Sequence, residues 1–96
     1  MEISTVKRIV GRQTKKADVL MKRFVEEVLE PDASYRMSLK GYALNGNQIR
    51  LSILDLDELD RIRKNPPMII GNARGYVYLN IDVDRVCEFA NEIDLK

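Results

Sequence analysis

The sequence predicts an α+β fold, a single antiparallel sheet with its helices on one face. Three observations carry that expectation. Apolar and polar residues alternate in Tyr35–Lys40, Gln48–Ile53 and Tyr76–Ile81, the period-two pattern of half-buried strands. Three other stretches space their apolar residues as amphipathic helices do. Asn45-Gly46-Asn47 sits between two alternating runs, and Asn-Gly in that position is the strongest short hairpin signal. The expected order is β-α-ββ-α-ββ-α, with 1–96 as one domain. A basic strand–helix entry spans 1–33, a first ββα unit spans 34–64 and a pseudo-repeated second unit spans 66–96.

Taken in order, Thr5–Gly11 is short and rich in β-branched residues and reads as a strand, with a helical turn as the alternative. Ala17, Leu20, Met21, Phe24, Val25 and Val28 form the stripe of a helix from Lys15 to Leu29, capped by Thr14 and stopped by Pro31. The hairpin follows, over Tyr35–Leu44 and Gln48–Ile53. Leu56, Leu59 and Ile62 then return to helical spacing, with Asp55 and Asp57 as candidate caps and Asn65-Pro66-Pro67 as the stop. Met68–Gly71 and Tyr76–Ile81 read as a second hairpin around Asn72–Gly75. Val83, Val86, Ala90 and Ile93, with Cys87 and Phe89 beside them, make the last helix. Leu51–Asp57 and Leu79–Asp84 share a strand, an Asp-rich cap and an apolar helix face, which motivates the repeat.

Composition narrows the chemistry. The 96 residues hold 45% hydrophobic side chains but no Trp, so Leu, Ile and Val must fill the core. There is no His, which removes the usual general base and the commonest metal ligand. One Cys makes neither an internal disulfide nor a Cys-rich zinc site. No apolar run reaches the length of a membrane span, and the first residues lack the apolar stretch of a signal peptide. A cytoplasmic binding module without cofactor, metal or enzymatic activity is the expectation.

Charge is graded along the chain. Residues 1–23 carry seven bases and two acids, residues 24–60 three bases and eight acids, and residues 61–96 six bases and five acids. Strand alternation then sorts the side chains. Met37, Leu39, Ile49, Leu51, Ile53, Val77, Leu79 and Ile81 belong to the core face. The opposite face is expected to hold Arg36, Lys40, Gln48, Arg50, Tyr76, Tyr78 and Asn80, with Ser38 and Ser52, and no carboxylate. Arg, Lys, Ser, Asn, Gln and Tyr are the donors that contact phosphates and base edges, and Tyr also stacks on unpaired bases. A polar solvated face is the ordinary alternative. Lys7, Arg8, Lys15 and Lys16 are added as candidate phosphate contacts, and Arg74 as the tip of the second hairpin.

Other motifs read more plainly. Gly71-Asn-Ala-Arg-Gly75 lacks the following helix and the Lys-Ser/Thr ending of a phosphate loop, so it is a turn. The Asp pairs at 55/57 and 82/84 lack the spacing of a calcium loop and suit helix caps. Cys87 lies in an apolar stripe and reads as a core thiol.

The element order, Asn45-Gly46-Asn47 before the third strand and Gly75-Tyr-Val-Tyr-Leu-Asn-Ile81 before the last helix resemble a known family. So do the basic Val6-Lys-Arg-Ile-Val10 segment and the helix beginning near Thr14. The family is the C-terminal double-wing DNA-binding domains of the MotA middle-gene transcription activators of T-even-type phages. The resemblance implies a saddle-like sheet that binds double-stranded DNA, with hairpins as wings, in a phage transcription regulator. It also implies contact with host RNA polymerase through an N-terminal domain for which these 96 residues have no room. The competing expectations are a small domain docking on a host protein through acidic helices, and a binder of single strands or RNA through Tyr76 and Tyr78.

Overall fold

The computed structural model describes residues 1–64 and 75–95. Helix α1 spans Ile3–Gly11. Helix α2 runs without a break through Lys15–Phe24, a wide π turn at Val25–Leu29 and a last turn at Glu30–Asp32. Strands β1 (Met37–Asn45) and β2 (Gln48–Asp55) are followed by α3 (Leu56–Lys64), β3 (Tyr76–Asp82) and α4 (Val83–Glu92). The fold is α+β, with four helices and one three-stranded antiparallel sheet in the order β1-β2-β3.

The order among the described residues is α-α-ββ-α-β-α, which corrects the expected pair of ββα units. The two segments thought to be repeats are neighbours in the sheet, with Leu51 opposite Leu79. The expected strand Met68–Gly71, the stop at Asn65–Pro67 and the hairpin tip at Arg74 lie outside the described residues.

The entry segment is also corrected, from strand to helix. Val6, Ile9 and Val10 are buried on one face of α1 at helical spacing, and packing against α4, α2 and β1 overrides their β-branched preference. At its C-terminus Thr14 N–H donates to the Ile9 carbonyl and Gln13 N–H to that of Val10, the paired bonds of a Schellman stop. Thr14 then caps α2 as expected, its hydroxyl accepting from Ala17 N–H at 3.2 Å. Pro31 does not stop α2. Proline has no N–H for the carbonyl four residues back and crowds it, and the wide turn at Val25–Leu29 relaxes the ladder there. That turn keeps Val25 and Leu29 in the core.

The hairpin forms where expected, with a tighter turn. Asn45 pairs with Gln48, leaving Gly46-Asn47 as a two-residue loop. Only Gly46 has a positive φ, 61°, which is the type II′ pattern with glycine first. The turn is no free wing. Asn47 accepts from Val83 N–H at 2.9 Å through its carbonyl and from the Lys7 ammonium through its side chain.

One core joins these elements. Phe24, Leu20, Met21, Val6, Val10, Ile49, Leu51, Ile53, Val83 and Val86 are fully buried, and Phe24 meets Phe89 edge-on at 5.6 Å. Cys87 is buried in the same cluster. Helices α1, α2 and α4 supply the helical part of this core, so they share one side of the sheet. Tyr42 extends from β1 to hydrogen-bond Asp18 of α2, and desolvation, with Asp18 second, holds its phenol above the usual range. Leu79 is half-buried, at the margin of the core rather than in it.

Candidate nucleic-acid interface

Register decides what the other face presents. Ser38, Leu54 and Tyr76 form one outer row, Gly41, Ser52 and Tyr78 the next, then Ala43, Arg50 and Asn80, and finally Asn45, Gln48 and Asp82. A β-bulge at Lys40 shifts the phase of β1, so Tyr42 and Leu44 turn inward and Gly41 and Ala43 outward. No described helix supplies buried residues to this outer face.

The centre of the face is aromatic and basic. Tyr76 is 43% and Tyr78 56% exposed. Arg50 stands on the central strand, and its guanidinium carbon lies 4.9 Å from the Tyr78 ring centroid, over the ring. The two are diagonal neighbours across β2 and β3, within reach of long side chains. An arginine over a tyrosine face gains a cation–π attraction and holds both side chains in place. Around them Ser52, Asn80 and Gln48 offer hydroxyl and amide groups. On β1, Gly41 and Ala43 leave the surface low, and a Cβ added to Gly41 would touch nothing within 4 Å.

The remaining candidates fall elsewhere. Arg36 precedes β1 and is bound by α3, its Nε donating to Asp57 at 2.8 Å and its terminal nitrogen to Asp60 at 2.6 Å. These bonds raise the Arg36 pKa and lower that of Asp57. Lys40 sits at the bulge and lines a groove of about 510 Å³ between β1 and α2. Lys7 and Arg8 lie on α1, and Lys15 and Lys16 open α2, in the helix layer. Arg74 is outside the described residues.

Two expectations about charge are therefore corrected. The outer face carries a carboxylate, because Asp82 pairs with Gln48 and accepts from its side-chain amide at 3.3 Å. The helix acids are not segregated from the expected basic face residues either, because Asp57 and Asp60 hold Arg36, just before β1. Of the three cations expected on the face, Arg50 alone stands in an outer row. Asn45 and Leu54, which the alternation argument did not include, belong to the face. Leu54 is the next step of the Gln48, Arg50, Ser52 alternation once β2 runs to Asp55, whereas Asn45 needed the β1–β2 register, because the bulge at Lys40 reverses the phase of β1.

Among the described residues no group of three or more potential ligands could hold a metal ion, and no helix is long and apolar enough to cross a membrane. What these residues define is an α+β domain with one sheet face covered by helices and the other open, aromatic and basic at its centre. Compared with family models, curated proteins and solved structures, the chain matches none.

Proposed function

We propose that this chain is a nucleic-acid-binding module that makes contact through the outer face of its sheet. One observation carries the proposal: Tyr76 and Tyr78 stand exposed on an open sheet face with Arg50 over Tyr78. A solvated antiparallel face needs polar residues, but it has no need of two exposed rings and an arginine aligned with one of them. Rings of this kind stack on bases, Arg contributes to the same stack, and Ser, Asn and Gln reach base edges or phosphates. The double-wing resemblance implies one narrower form of this proposal, a regulator of double-stranded DNA; a binder of single strands through Tyr76 and Tyr78 is the other.

The test compares two groups of cations. Fluorescence anisotropy with labelled oligonucleotides, run over a salt series, gives affinity and its salt slope. Arg50→Gln should weaken binding and flatten the slope by about 0.7–0.9, the loss of one phosphate contact. Changing Lys15 and Lys16 together to Gln should leave both nearly unchanged. The opposite pattern would move the contact surface to the helix layer and defeat the proposal.

A further inference from the structure

We infer that the outer face takes an extended, unpaired polynucleotide strand, with two consecutive bases seated one on Tyr76 and one on Tyr78. The inference rests on the nucleic-acid proposal above and narrows its ligand from nucleic acid in general to a single strand.

Spacing is the first argument. Tyr76 and Tyr78 are two residues apart on one strand, so they rise from β3 about 6.4–6.8 Å apart. Consecutive bases in a duplex strand are stacked about 3.4 Å apart. A stacked pair cannot place one base on each tyrosine at that separation. A strand with splayed bases can, and proteins that read single strands use aromatic side chains in this way.

Access is the second argument. Within a duplex the faces of the bases are covered by their neighbours and only the edges reach the grooves. The features that distinguish this sheet are exposed rings, which need base faces. A base on Tyr78 also meets the Arg50 guanidinium, and Ser52, directly across from Tyr78, lies within reach of its edge. The low outer side of β1 at Gly41 and Ala43 leaves room for the neighbouring sugar and phosphate.

Charge is the third. A duplex-binding surface draws on many phosphate contacts. Here Arg36 is engaged by Asp57 and Asp60, the cations of α1 and α2 belong to the helix layer, and among the described residues Arg50 is the one cation at the centre of the face. Stacking, which needs few cations, suits that distribution better.

The experiment titrates the full chain at low salt with labelled oligo(dT), oligo(U) and a blunt duplex of equal length. Single strands are expected to bind more tightly than the duplex, and the two homopolymers show whether deoxyribose or ribose is preferred. Tyr78→Ala and Tyr76→Ala should each weaken single-strand binding about 5- to 150-fold. Tyr78→Phe should keep it, because the ring is retained. Thermal unfolding of each variant should match the parent, since both rings are exposed. Duplex bound as tightly as single strand, with Tyr78→Ala without effect, would overturn this inference and leave the broader proposal standing. No binding to any of the three would overturn both.

Discussion

Gln13 and Asp94 hold the left-handed backbone that glycine adopts freely, with φ of 49° and 52°. Each ends a helix. Asp94 N–H reaches the Asn91 carbonyl and Leu95 N–H that of Ala90, the same stop that Gln13 and Thr14 make after α1. Gln13 is also tied down by its side chain, which donates to the Tyr42 carbonyl at 2.8 Å, whereas among the described residues no side-chain hydrogen bond holds Asp94. Asp94→Gly should therefore raise stability by about 0.5–1 kcal/mol, the relieved strain less the added freedom of the unfolded chain. A urea midpoint at or below that of the parent would contradict this. The Arg36 pair gives a second residue-scale expectation. Asp57 is held below its ordinary value of 3.8 chiefly by the Arg36 side chain. A carboxylate depressed in the folded state contributes stability above its unfolded pKa and loses it as pH falls through the folded one. Asp57→Asn should thus be less stable than the parent near neutrality, and the gap should close below the ordinary aspartate range. The contribution is small because the pair is exposed. A gap independent of pH would show that the carboxylate charge is not what matters.

At the scale of elements, the sequence was legible where one local rule dominated. The α2 stripe, the Thr14 cap, the apolar stripe of α4 and the hairpin all formed where their spacing put them. Asp55 caps α3 as expected, accepting from Glu58 N–H at 2.9 Å. Gly46→Ala tests the turn, since alanine at positive φ should cost about 1–2 kcal/mol with no clash to blame. An unchanged unfolding midpoint would mean that the turn tolerates another conformation. The failures came where two rules competed. Val6, Ile9 and Val10 are β-branched yet helically spaced, and in α1 the spacing won. Pro31 breaks an isolated helix, but α2 absorbs it in a π turn. Lys40 falls in an alternating run, and the bulge there reverses the phase of everything after it in β1. No residue pattern announces a bulge, because it depends on how β1 meets β2.

For the molecule as a whole, the layering was legible and the charge map was not. Alternation correctly separated the strand residues that enter the core from most of those that do not, and Arg50 and Tyr78 share the outer face as expected. Which cations gather there depends on tertiary neighbours. Asp57 and Asp60 take Arg36, Asp82 joins the rim, and the basic first 23 residues fold into the helix layer. Among the described residues the resulting surface has one central cation and two rings. Its binding should consequently depend weakly on salt, with a slope near −0.7 for a single phosphate contact to a single strand. A slope several times steeper would place many phosphates on cations away from this face.

The most direct test of the central claim is a residue-by-residue map of the contact surface. Amide chemical shifts of the isotope-labelled full chain are followed by NMR while unlabelled oligo(dT) is added at low salt. The largest changes are expected at Tyr76–Asn80 on β3 and Gln48–Leu54 on β2, with α1 and the first turn of α2 unaffected. Changes confined to Lys7, Arg8, Lys15 and Lys16, with Arg50 and Tyr78 silent, would contradict it.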